Sequence, residues 1–164
     1  MEPRREELIR IGQLELRFYI DDKDTAGGMT VFEFTVPPQA RVPSPHFHKE
    51  VDEFVYGLEG VLTFTVDGEK MEIGPGDRCF VPRGSTHHFA NHGTTGVRAL
   101  SMLSPASIGP EFFRAMSGLV GAGGPPDAEK MKSVMLRHGL VAVPDPASTT
   151  PAASTQRPPR EENR

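Results

Sequence analysis

The sequence predicts an all-β protein, a sandwich or barrel, followed by one or two C-terminal helices. Three observations point there. Short β-like runs follow one another from about residue 13 to 105, turn-forming residues separate them, and the character of the chain changes after Pro105. Several short strands at regular spacing are the pattern of a sandwich or barrel. The 164-residue length suits one domain with a single core. Pro (16) and Gly (17) together make about a fifth of the chain, which favours short elements joined by turns over long helices.

The runs, in order, are LELRFYI (14–20), MTVFEFTV (29–36), DEFVYGLE (52–59), VLTFTV (61–66), EKMEI (69–73), RCFVP (78–82), HHFAN (87–91) and VRALSML (97–103). Most carry Val, Ile, Phe, Tyr or Thr, residues that fit a pleated, half-buried surface. Between them lie AGG, PPQ, DG, GPGD, RGS and HGTTG. Asp67-Gly68, flanked by VLTFTV and EKMEI, predicts a hairpin, because both central positions of a type I′ turn need positive φ. Residues 1–28 are read as an N-terminal segment with an edge strand and 29–105 as the barrel. Residues 106–143 then form the helical segment. There Pro110 takes the first position of a helix whose apolar stripe is Phe112, Phe113, Met116, Leu119 and Val120. GAGGPP (121–126) breaks the chain. Asp127 caps a second helix carrying Met131, Val134 and Met135 on one face, with Gly139 at its end. From about 144 the chain is poor in hydrophobics and rich in Pro, Ser, Thr and charge, so a disordered tail without catalytic role is expected over 144–164.

Net charge is −4 with a pI of about 5.9 and no Lys/Arg cluster, which excludes the electrostatic footprint of a nucleic-acid binder. No run of 18 apolar residues predicts a transmembrane helix. The N-terminal MEPRREELIR is charged and lacks the apolar core of a secretory signal. The single cysteine, Cys79, cannot form an intramolecular disulfide, so a cytoplasmic protein is expected.

The chemistry concentrates in PSPHFHKEVDEFVYGLEG (43–60). On a strand, His46 and His48 point to one face and Phe47 to the other. Glu53 lies in the next run, across the corner made by Lys49 and Glu50. Farther on, His87 opens a strand on which His87, Phe89 and Asn91 share one face and His88 and Ala90 the other. An inward His87 would complete a set of three imidazoles and one carboxylate. Imidazole suits Fe, Mn, Ni, Cu and Zn, and a single carboxylate lowers the charge of a divalent ion without cancelling it. Four protein ligands on an octahedral ion leave room for a substrate, whereas a closed structural zinc site more often uses cysteine.

These residues resemble the two motifs of the cupin superfamily. The first, His-x-His, four residues, Glu, six residues, Gly, is met by His46, His48, Glu53 and Gly60. The second, Gly, five residues, Pro-x-Gly, two residues, His, three residues, Asn, is met by Gly76, Pro82, Gly84, His87 and Asn91. One departure is Ala40, which stands where the family usually has a glycine ahead of the first histidine. The strand pattern extends the resemblance over roughly 29–105, and GPEFFRAM looks like the helix after the barrel in small cupin-2 proteins, including quercetin-dioxygenase-like ones. The resemblance implies a double-stranded β-helix, or jelly roll, with a divalent metal inside held by His46, His48, Glu53 and His87. Gly60, Gly76, Pro82 and Gly84 would shape turns.

The neighbouring residues have plainer roles. His88 points away from the site, His92 sits in a solvated turn, and His138 lies where a cation complements a helix C-terminus. Asp52 has the wrong parity, Glu50 lies at the corner, and Cys79 reads as a small core residue. Phe54, Tyr56 and Leu58 form an apolar row opposite Glu53 that either the helices or a second subunit must cover, and a homodimer is expected.

For function, the resemblance implies dioxygenase-like chemistry on a small aromatic or enolic substrate, with Fe(II) foremost and Mn, Ni, Cu or Zn also accepted. Glu53 would double as the catalytic base. The alternatives are a non-catalytic module holding a small ligand, and a phosphosugar isomerase. The lining of the cavity discriminates. Apolar walls, to which Phe64, Phe89 and Met102 are candidates by composition, favour the oxygenase. Converging Arg and Lys, with Arg41, Arg78 and Arg83 near the motifs, would favour a phosphorylated ligand.

Overall fold

The computed structural model describes residues 6–40, 44–121 and 125–144. The expected disordered tail from 145 onward, Arg41 and residues 122–124 of the GAGGPP break lie outside the described residues. In chain order the elements are β1 (Glu7–Ile11), β2 (Leu14–Ile20), α1 (Asp22–Thr25), β3 (Thr30–Val36), β4 (His46–His48), β5 (Asp52–Glu59), β6 (Leu62–Val66), β7 (Glu69–Ile73), β8 (Arg78–Val81), β9 (His87–Ala90), β10 (Val97–Ser104), α2 (Pro110–Val120), α3 (Ala128–Arg137) and β11 (Leu140–Ala142). Each of the eight expected runs forms a strand. Pro110 and Asp127 stand at the helix starts, where the Asp127 side chain accepts from the Glu129 and Lys130 amides.

The strands form two antiparallel sheets, ordered β1-β2-β3-β10-β5-β8 and β11-β4-β9-β6-β7. This is the expected all-β jelly roll. Alternation writes the core. On β5, Glu53, Val55 and Gly57 point inward while Phe54, Tyr56 and Leu58 point out. On β10, Val97, Ala99, Ser101 and Leu103 point inward. The inner faces meet in a core that includes Leu16, Phe34, Val36, Leu62, Phe64 and Ile73, each at most 3% exposed.

Glycine is demanded at a few places. Asp67 (φ 49°) and Gly68 (φ 86°) make the expected hairpin turn. Gly57 was not foreseen. A Cβ there would lie 2.0 Å from the Gly74 carbonyl oxygen, because the 74–77 turn folds back onto β5.

Three elements escaped the sequence reading. The charged run Glu7–Ile11 forms the edge strand β1, paired to β2 and bridged by Arg10 to Glu15. A short capped turn of helix, α1, follows β2. After α3 the chain returns as β11 to pair with β4. The helices do not cover the Phe54 row, since α2 packs on β1 and α3 on β11 and α2. Tyr56, Leu58 and, beside them on β8, Phe80 remain exposed, Phe80 by 60%.

Candidate metal centre

β4 brings two imidazoles inward. His46 and His48 are buried on either side of a half-buried Phe47, as period-2 geometry requires. β9 runs antiparallel beside β4 and sets His87 directly across from His46. The three rings have centroid separations of 4.5 Å (His46–His87), 4.8 Å (His48–His87) and 5.2 Å (His46–His48), and each offers a nitrogen within 4.8 Å of the others. Glu53 faces them from the other sheet, with Oε2 3.2 Å from His87 Nε2 and Oε1 accepting from the Ser101 hydroxyl at 2.8 Å. All four expected site residues are therefore together.

The loop before His87 is keyed to the first motif. The Gly84 amide donates to the His48 carbonyl at 2.8 Å, and Arg83 grips Asp52 through its backbone and guanidinium. Asp52 thus faces outward, as its parity demanded. Asn91 closes the same region. Its side-chain amide donates to Val36, Pro37 and Thr95 carbonyls and its oxygen accepts from Gly93, so its place in the motif is structural.

The electrostatics suit metal binding. Nδ1 of His46 and of His87 each lie 3.0 Å from a backbone carbonyl, of Ser44 and Ser85, which holds the proton there and turns Nε2 toward the cavity. His48 Nδ1 lies near the Val51 backbone without a hydrogen bond of normal geometry. Burial, reinforced by the neighbouring rings, depresses the pKa of His46 to about 3. Burial likewise depresses His48 to about 4, against the pull of Glu53. Both are neutral, as ligands must be. For His87, burial opposes the cation, but the hydrogen bond and charge of Glu53 outweigh it and raise the pKa. Burial alone would raise Glu53. The hydrogen bond from His87, the charges of His87 and His48, and the Ser101 hydroxyl hold it instead at about 2.

The cluster opens into a cavity of about 460 Å³. Leu103 and Phe89 line it, with Phe34, Phe113, Met116 and Met131 among the other walls. Met102, expected there, points outward because the buried parity of β10 falls on Leu103. Phe64 is buried behind the His87 ring, stacked at 6.0 Å. No Lys or Arg lines the cavity among the described residues. Arg78 is exposed and Arg83 is engaged with Asp52.

The other polar residues behave as expected. Glu50 and His92 are exposed, and His88 is half-buried on the opposite face of β9. Cys79 is buried in the core, and burial and the Glu53 charge raise its pKa. His138 caps α3 and packs its ring on Phe112.

The family model described as "Cupin domain" matches residues 32–103. The polyketide cyclase RemF from Streptomyces resistomycificus superposes with a TM-score of 0.52 at 31% identity, over 61% of this chain and 72% of that one.

The chain belongs to the cupin family.

Among curated relatives, the tetracenomycin polyketide synthase protein TcmJ of Streptomyces glaucescens is 33% identical over 67 residues, 41% of this chain and 45% of the relative. Quercetin 2,3-dioxygenase of Bacillus subtilis (strain 168) is 30% identical over 102 residues, 61% of this chain and 29% of the relative. These matches span about half or less of those relatives' lengths. In this cupin the matched region supplies all four site residues, whereas α2, α3 and the β1–β2 turn, outside it, supply much of the cavity wall. Ser101 and the helix-borne wall were not singled out from sequence. The inward parity of β10 was the available signal for Ser101. Among the described residues no helix is long and apolar enough to cross a membrane.

Proposed function

We propose that this cupin holds one divalent metal ion on His46, His48, His87 and Glu53 and acts on a small, flat aromatic or enolic substrate with dioxygenase-like chemistry. The observation that carries this reading is the character of the cavity: three imidazoles and a carboxylate set among Phe, Leu and Met side chains, with no described cation on its walls. Its volume falls in the range of small-ligand sites. Among the described residues a phosphosugar would meet no Arg or Lys there, which favours the aromatic or enolic substrate over the isomerase alternative.

The metal, Fe(II) foremost with Mn, Ni, Cu and Zn also suited to these donors, would supply Lewis acidity, a template and a route for electrons. The chain's own residues do the rest. Phe34, Phe89 and Phe113 offer flat faces to a planar ligand and keep water away from it. Glu53, ionised at neutral pH, is the group that can take the proton of a phenolic or enolic hydroxyl.

A second reading has its own support. RemF and TcmJ both carry names tied to polyketides, and a redox-neutral ring closure would use the same flat, oxygen-rich kind of substrate. One buried, unpaired cysteine asks for no oxidising compartment, and a cytoplasmic location remains our expectation.

The test begins with elemental mass spectrometry on untagged protein beside His48→Ala. About one metal per chain, lost in the variant, supports the site. Oxygen uptake is then followed with flavonols and catechols. Uptake supports the dioxygenase; conversion without uptake supports ring closure. Metal binding with ligand retention and no turnover would leave the non-catalytic alternative.

A further inference from the structure

We propose that Ser101 is the positioning residue of the metal centre, its hydroxyl occupying one oxygen of Glu53 so that the carboxylate meets the metal through the other. The inference rests on the metal-binding reading above.

Ser101 is wholly buried, on β10, opposite Val55 of β5 and Phe32 of β3. Its inward neighbours along the strand, Val97, Ala99 and Leu103, are apolar. A hydroxyl in that row costs free energy unless it is hydrogen-bonded, and Ala would pack there as readily. The hydroxyl's described partner is Glu53 Oε1, at 2.8 Å. The other oxygen, Oε2, is the one turned to His87 Nε2, at 3.2 Å. The carboxylate is thereby divided: one oxygen belongs to the wall and one to the imidazole cluster.

The division has a chemical consequence. A carboxylate can hold a metal through one oxygen or through both. With Oε1 engaged, Glu53 would offer one oxygen beside the three imidazoles, leaving a bound ion room for a ligand's own oxygens. The same hydrogen bond stops the carboxylate from turning about its last torsion, which otherwise has a broad, shallow preference.

The test uses Co(II) as metal and spectroscopic probe, on untagged wild type, Ser101→Ala and Ser101→Thr. Ser101→Ala is expected still to bind Co(II), but roughly 10- to 100-fold more weakly, the usual loss when the partner of a ligand is removed. Its visible absorption should also change as the freed oxygen joins the metal. Ser101→Thr keeps the hydroxyl and should restore both affinity and spectrum. Urea unfolding of the metal-free proteins separates a packing defect, which moves stability and leaves the spectrum alone; that result would overturn the proposal. So would Ser101→Ala matching wild type in affinity and spectrum, with the metal centre itself left standing. A wild type that binds no Co(II) would overturn the metal reading and this inference with it.

Discussion

His87 Nε2 stands 3.2 Å from Glu53 Oε2, one group from each sheet, closing the space between them with a polar contact. The nitrogen that would hold a metal is the one turned to the carboxylate, whose hydrogen bond and charge raise the pKa of His87. A proton and a metal therefore compete for that nitrogen, and metal affinity should fall as pH is lowered.

Metal addition should raise the melting temperature of the wild type. A ligand bound to the folded state alone at about 100 times its dissociation constant contributes about 2.7 kcal/mol. His48→Ala should lose most of that gain. Differential scanning fluorimetry with Fe(II), Mn(II) and Ni(II), before and after chelation, measures it; an equal gain in the variant would remove His48 from the site.

The metal-free protein should lose stability as pH falls from about 6.5 to 4. His46 and His48 titrate near 3 and 4 when folded, against an ordinary value of 6.5, so the unfolded chain binds more protons throughout that window. Each contributes a slope of up to about 1.4 kcal/mol per pH unit. Glu53, held at about 2 against 4.5, adds a loss of the same sign below 4.5. His87 runs the other way: its raised pKa contributes stability in full below 6.5, and this is lost as pH rises through the folded value. Urea midpoints between pH 8 and 4 read the balance, and a flat profile below 6.5 would contradict it.

Gly57→Ala and Gly118→Ala should have opposite signs. At 57 the new methyl meets the Gly74 carbonyl at 2.0 Å, backbone against backbone, and a loss of more than about 4 kcal/mol is expected. At 118, inside α2, nothing lies within 4 Å, and the gain in helix propensity is about 1 kcal/mol. Chemical denaturation of the pair beside wild type measures both.

Phe80, 60% exposed, continues the outward row through Phe54 to Met102 across three strands. We expect a second copy to cover this row. Phe80→Glu should then shift the mass seen by light scattering from dimer to monomer, with circular dichroism unchanged. A wild type already monomeric would set the homodimer aside.

Much of this was legible in the sequence because β-structure declares itself locally. VLTFTV-DG-EKMEI states strand, turn and strand in one line, and HFH states two imidazoles on one face. What stayed hidden depended on remote contacts. ELIRI reads as a charged segment until β2 is there to pair with its backbone and bridge its Arg10. Gly57 reads as an ordinary strand residue until the 74–77 turn comes down on it. Met102 and Leu103 differ by a single step of parity, which composition cannot resolve and register does. Ser101 acquires meaning only when β10 and β5 lie side by side.

β11 sets an order of events on the histidine pair. β4 meets β9 through His46 and His87, but its far edge is covered along its whole length by Leu140–Ala142, with Lys49 and Pro45 tied in by the Gly139 carbonyl and the Val143 amide. As the chain leaves the ribosome, His46, His48, Glu53 and His87 all emerge before that covering strand does. Until Ala142 is free, β4 is a bare edge, open to pairing with a neighbouring nascent chain. A translation product that stops short of Leu140 would carry every ligand and lack the strand that holds two of them in line.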